Sequence, residues 1–283
     1  MEIKTFGVIG AGQMGNGIAQ VAAASGFSVI MSDIKEEFVQ KGVANIDKVL
    51  SRNVEKGKLS AEEKTSVLSR IQTTVTLEDM AKADFVVEAA TENEGLKFKI
   101  FQDLDNICPE ETILSSNTSS IPIGRIAAQT KRPEKVIGMH FMNPVPVMKL
   151  VEVIRGIATS DATFKTTWDL AESFGKTPAL AQDYPGFIAN RILIPMINEA
   201  VYALYHGVGT REDIDTVMKL GANHPMGPLT LADLIGLDTC LAIMETLYNG
   251  FKDSKYRPCP LLRKYVEAGW LGRKTGRGFY EYT

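Results

Sequence analysis

The sequence predicts an α/β fold in which a doubly wound, mostly parallel sheet is followed by an all-α C-terminal domain. Three observations carry this. Short β-type runs alternate with helical stretches through the first half, the rhythm of strands joined by crossover helices. A glycine-rich turn joins the first strand to the first helix. After about residue 180 the β-type runs nearly cease and apolar-periodic helices take over.

The elements follow in order. Thr5–Ile9 is a short strand and Gln13–Ser25 an Ala-rich helix. Ser28–Met31 is the second strand, and Lys35–Lys56 a long helix with a polar face. Asp84–Glu88 (DFVVE) reads as a buried strand, with a helix over Glu94–Ile107. Thr112–Ser115 and Lys135–His140 are further strands, and KLVEVI a returning one. The segment AQDYPGF, with its Pro and Gly, marks the domain boundary, giving a first domain over 1–184 and a second over 185–283. In the second, Phe187–Tyr205 is a long helix that Pro195 should kink. Arg211–Leu220, Leu229–Leu247 and Pro260–Ala268 are further helices, and Phe279–Tyr282 a last β-type run.

Composition narrows the class. The 283 residues are 45% hydrophobic and 23% charged, ordinary for a globular chain. With 31 Lys+Arg against 34 Asp+Glu the net charge is −3, so no nucleic-acid footprint is expected. Cys108, Cys240 and Cys259 are scattered, with no C-x-x-C, which points to a reducing compartment. No secretory leader and no membrane-length apolar run is visible, so a cytoplasmic location is expected.

VIGAGQMGNG holds Gly10, Gly12 and Gly15 as G-x-G-x-x-G, with Gln13 and Met14 between them. It follows a strand and opens a helix, the context of a Rossmann-type dinucleotide loop. Gly10 permits the tight turn, Gly12 lets backbone approach a pyrophosphate, and Gly15 lets helix and strand pack closely. The helix N-terminus favours the anion. Asp33, at the end of the second strand, can accept from ribose hydroxyls and repel a 2′-phosphate, so NAD is favoured. Lys35 nearby leaves NADP open. The plainer reading is a ligand-free βα turn with Asp33 as a helix cap.

His140 ends a strand, and Glu152 lies on the strand that returns after FMNPVPVM. The two prolines forbid a helix there. Opposed strands can bring the two side chains together, and a carboxylate beside an imidazole fixes its tautomer and stabilises the imidazolium. Spacing alone equally allows a histidine bonded to backbone with Glu152 facing solvent. His206 reads as structural, and His224 lacks neighbours at ligand spacing, so no metal site is expected.

These segments together resemble the 3-hydroxyacyl-CoA dehydrogenase family, over essentially the whole chain. The carriers are GVIGAGQMGNGIA, VVEAATENEGLK, SSNTSS, GMHFMNPVPVMKLVEV, DYPGFIANRIL, NHPMGPLTLADLIGLD and GRKTGRGFY. The resemblance is strongest to short bacterial 3-hydroxybutyryl-CoA dehydrogenases. It implies an NAD-dependent oxidoreductase interconverting (S)-3-hydroxybutyryl-CoA and acetoacetyl-CoA, in short-chain fatty-acid and butanoate metabolism. It implies that His140 is the general acid/base and that Glu152 orients it. Ser119 would meet the reacting oxygen or the nicotinamide, and Asn190 would hold the acyl group. Asn143, Glu92, Lys97 and Lys274 match positions that contact cofactor. It also implies a homodimer formed through the second domain. From spacing alone the plainer readings stand ahead: Ser119 as a turn former, Asn190 as a first-turn polar residue, and Lys274 as a solvated charge.

Lys48, Arg52 and Lys56 recur every four residues on one face of the second helix. This is either a solvated face or the contact with the 3′-phospho-ADP end of coenzyme A, through Arg52 and Lys56 first. Two rivals remain. A dehydrogenase of free hydroxy acids should show a carboxylate-clamping Arg or a catalytic Lys. A non-catalytic NAD-binding module should have lost His140 or Glu152.

Overall fold

The computed structural model describes residues 2–282. They form two compact units that divide between Asp183 and Tyr184. The first unit holds β1 (Thr5–Ile9), α1 (Gln13–Ala24), β2 (Ser28–Ser32), α2 (Glu36–Glu55), α3 (Ala61–Ser69), β3 (Ile71–Thr74) and β4 (Phe85–Glu88). It continues with α4 (Glu94–Ile107), β5 (Ile113–Ser116), α5 (Ile123–Ala127), β6 (Val136–Phe141), β7 (Leu150–Arg155), α6 (Asp161–Ser173) and β8 (Thr177–Gln182). The second unit holds α7 (Ala189–Tyr205), α8 (Arg211–Gly221), α9 (Pro228–Ile235), α10 (Leu237–Phe251) and α11 (Pro260–Glu267).

All eight strands form one sheet in the order β3-β2-β1-β4-β5-β6-β7-β8. The first six neighbours run parallel, β7 turns back antiparallel to β6, and β8 runs parallel to β7. The winding reverses between β1 and β4, which opens a crevice at their carboxyl ends where such sheets bind ligands. Both faces are covered, so the central strands are continuous apolar runs: every residue of β4, β5 and β6 is buried. Phe6 and Phe85 stack with centroids 5.6 Å apart inside this core. The helical unit has its own core, with Ile194, Ile197 and Val201 of α7 against Leu241, Met244 and Leu247 of α10.

Several elements differ from the sequence reading. The helix expected over Leu229–Leu247 is two helices, because Gly236 takes φ 104° and breaks the ladder. The C-terminal β-type run is not a strand. The N–H groups of Phe279 and Tyr280 donate instead to the buried carboxylate of Asp233, at 2.9 Å each. The long helix starts at Ala189, after Phe187 at φ 48°, and runs on through Pro195. The helices α3 and α6 and the strands β3 and β8 were not anticipated. No helix among the described residues is long and apolar enough to cross a membrane.

Candidate active site

The crevice between β1 and β4 opens into a cavity of about 1190 Å³, lined by Gly10–Met14, Asp33, Ala89–Thr91 and Asn143–Pro146. That exceeds the range of roughly 300–1,000 Å³ usual for small-molecule sites, as an extended dinucleotide requires. The glycine loop is built for backbone approach. Gly10 has φ 96°, and a Cβ on it would meet the Ala89 carbonyl oxygen at 2.7 Å. A Cβ on Gly15 would lie 1.7 Å from the Gly10 carbonyl oxygen, so Gly15 serves the packing of α1 and does not line the cavity. A Cβ on Gly12 would meet nothing within 4 Å, leaving open space over the N-terminus of α1.

Asp33 follows β2, with Oδ2 accepting from Ala11 N at 2.8 Å and Oδ1 from Ile34 N at 2.7 Å. Lys35, not Asp33, is the N-cap of α2, so the capping alternative falls. The Lys35 ammonium lies over the Phe38 ring, 5.7 Å from its centroid, and is not among the cavity-lining residues. The loop, the open backbone over α1 and the acid beside it suit a dinucleotide with an unphosphorylated ribose.

The β6–β7 hairpin places His140 and Glu152 in register as direct partners. His140 Nδ1 and Glu152 Oε2 are 2.8 Å apart, with the side chains 9% and 2% exposed. Glu152 therefore faces the interior, and the alternative of a solvent-facing carboxylate falls. With Nδ1–H donating to the carboxylate, the neutral ring carries its acceptor lone pair on Nε2. The loop of the hairpin is pinned by Lys176, whose Nζ donates to the carbonyls of Val145 at 2.6 Å and Met148 at 2.8 Å. Burial lowers the pKa of that ammonium. Asn143, on the same loop, accepts from Gln13 Nε2 at 3.0 Å, which ties the hairpin to the start of α1.

A third cluster sits after β4 and β5. Glu92 Oε1 gathers the hydroxyl of Thr118, the N–H groups of Ser119 and Ser120 at 3.0 and 3.1 Å, and the Ser120 hydroxyl at 2.7 Å. Burial pushes the Glu92 carboxyl up, but the Lys97 charge and these donors outweigh it and hold it below the ordinary value. Lys97 is 1% exposed and donates to Glu88 Oε1 at 2.6 Å. Neither Glu92 nor Lys97 is among the lining residues of this cavity.

Of the basic face of α2, Lys48 and Arg52 line the cavity, joined by Lys41. Lys56 is the C-cap of the helix and is not a lining residue of this cavity. In the second unit, Asn190 lies in the first turn of α7, as expected. Lys274 Nζ is held at 2.6 Å by Asp238. Asn117 was missed: its Oδ1 accepts from Phe141 N at 2.8 Å, next to His140. It stands in SSNTSS, where an Asn reads only as a turn former.

The N-terminal unit matches the profile described as 3-hydroxyacyl-CoA dehydrogenase, NAD binding domain, over residues 5–184. Residues 186–282 match the profile of the C-terminal domain of the same enzymes. The chain belongs to the 3-hydroxyacyl-CoA dehydrogenase family. It is an NAD-dependent oxidoreductase of that family. The Bacillus subtilis protein named probable 3-hydroxybutyryl-CoA dehydrogenase is 61% identical over 282 residues, covering 100% of this chain and 98% of that one. The 3-hydroxybutyryl-CoA dehydrogenase of Bradyrhizobium diazoefficiens is 59% identical, covering 99% and 96%. Among solved structures, the (S)-3-hydroxybutyryl-CoA dehydrogenase of Ralstonia eutropha matches with a TM-score of 0.98 at 54% identity, covering 100% of both chains. The glycine loop lies within the residues that match the NAD-binding domain.

Proposed function

We propose that this family member interconverts (S)-3-hydroxybutyryl-CoA and acetoacetyl-CoA with NAD(H), with His140 handling the proton. The observation that carries the mechanism is the buried 2.8 Å contact of His140 Nδ1 with Glu152 Oε2. Nε2 takes the proton of the 3-hydroxyl as the carbon is oxidised and returns it in reduction. Glu152 stabilises the imidazolium that forms, and the apolar surroundings strengthen that attraction. When bound, NAD supplies the hydride acceptor at its nicotinamide ring. Ser119 hydrogen-bonds the 3-oxygen, and Asn190 holds the acyl group, as the resemblance implies. The substrate follows the activities for which the Bacillus, Bradyrhizobium and Ralstonia relatives are named.

The anionic end of coenzyme A is met by the basic face of α2, with Arg52 as its main contact and Lys56 at its end. The working form is a homodimer through the helical unit. Three free, buried cysteines suit a reducing, cytoplasmic setting.

The test of the mechanism is His140→Gln. Its kcat should fall by at least about a hundredfold, the size of a general acid–base contribution, while NADH titrated by fluorescence binds nearly as before. Near-wild-type kcat would contradict the assignment.

A further inference from the structure

Glu88 is fully buried at the end of β4, next to the cavity but outside its lining. Its carboxylate is the hub of a closed ring of polar contacts. Oε1 accepts from Lys97 Nζ at 2.6 Å and from Ala90 N at 2.7 Å. Oε2 accepts from the Ser116 hydroxyl at 2.7 Å, and Ser116 Oγ in turn accepts from Thr118 N at 3.1 Å. The Thr118 hydroxyl donates to Glu92, and Lys97 Nζ lies 3.4 Å from the other Glu92 oxygen, which closes the ring. Two carboxylates thus share one buried ammonium. Glu92, the member held more loosely by Lys97, is the one that gathers the N–H groups of Ser119 and Ser120.

We infer that Glu88 is a positioning residue for the reaction: by holding Lys97, it leaves Glu92 to fix the turn that presents Ser119. The physical reason is charge balance in a site with little water. If Glu88 loses its charge, Glu92 is the nearest anion to a buried cation, and a buried cation draws the nearest anion to itself. Glu92 would then move off the 118–120 turn. Sequence reading gives Glu88 no role, since it stands inside an apolar strand with no visible partner. This inference rests on Ser119 meeting the 3-oxygen, as proposed above.

The test is a double-mutant cycle of Glu88→Gln and Ser119→Ala, with kcat measured at saturating NADH and acetoacetyl-CoA, and with amide exchange at residues 119 and 120. Glu88→Gln alone should lower kcat by roughly tenfold or more, as loss of orientation does. In the Ser119→Ala background it should cost less than about threefold, because the group it positions is gone. Exchange at 119 and 120 should speed up in Glu88→Gln whether or not the substrate is the right one. Equal losses in both backgrounds, or unchanged exchange, overturn the inference. A Ser119→Ala variant with wild-type kcat overturns it together with the Ser119 reading, which the equal-loss result leaves intact. If wild type does not turn over acetoacetyl-CoA, the substrate reading falls and the exchange result decides on Glu88. If Glu88→Gln does not fold, Glu88→Asp, which keeps the charge but withdraws it from Lys97, should give the same pattern at a smaller size.

Discussion

The imidazole of His140 has a defined partner because β6 and β7 pair in one register only. A slip of one residue would turn Glu152 to the other face of the sheet. Register is therefore a chemical variable here, and the apolar neighbours Met139, Phe141, Val151 and Val153, all buried, fix it. Glu92 is set by a different balance. Its carboxyl is held below the ordinary value of 4.5, since Lys97 and the 118–120 donors outweigh the cost of burial. An acid with a lowered folded pKa stabilises the fold above its ordinary value, and loses that contribution as pH falls through the lowered one. Glu92→Gln should therefore melt below wild type near about pH 7, and the gap should be narrower near about pH 3. Thermal unfolding at the two pH values checks this, and a constant gap would contradict it. The cysteine thiols are shifted the other way. Burial pushes Cys108 up to about 11 and Cys240 up to about 12, which leaves them poor nucleophiles.

At the scale of elements, α2 presents buried Val39, Ile46 and Leu50 to the sheet and a basic row to the cavity. Replacing Arg52 and Lys56 by Ala should raise KM for acetoacetyl-CoA several-fold, by roughly 1–2 kcal/mol for a lost charge-assisted contact. The change in kcat should be small, because the contact is the same in ground and transition states. The penalty should shrink with substrate lacking the 3′-phosphate. An equal penalty would show that this face does not read the phosphate. Since Lys48 lines the cavity and Lys56 does not, Arg52 should carry most of the effect.

The same elements show what a sequence can convey. The β1 turn into α1 was legible because the pattern changes period at a glycine loop, and the hairpin because prolines separate two apolar runs. The helix α3 was missed although Ser60 and Glu63 form a reciprocal capping box at its start. The helix α6 was missed for a physical reason: its buried face carries Thr163 and Thr167 beside Leu170 and Ala171, so no apolar period shows. Strand β3 is a four-residue, half-buried edge with little hydrophobic signal. In the site, spacing allowed His140 and Glu152 to pair but allowed a solvent-facing Glu152 equally, and only the β6–β7 register decides between them. The partners of Lys97 could not, because Glu88, Ser116 and Thr118 meet only once β4 and β5 lie side by side.

For the molecule as a whole, each unit carries its own core, so each can hold its shape by its own packing. The helical unit still exposes Ile192, Val217 and Leu220 at 67%, 64% and 80%. Apolar side chains of this size on a helical surface fit the proposed subunit contact. Sedimentation at micromolar concentration should show a dimer, and a purely monomeric species would contradict it. The central claim is that the buried pair and the NAD-binding unit serve acyl-CoA chemistry. Its most direct measurement mixes the purified protein with NADH and acetoacetyl-CoA, with free acetoacetate as control, and follows the NADH absorbance. The expected result is rapid loss of the NADH band with the thioester and little with the free acid. Equal rates with both, or no loss with the thioester, would contradict it.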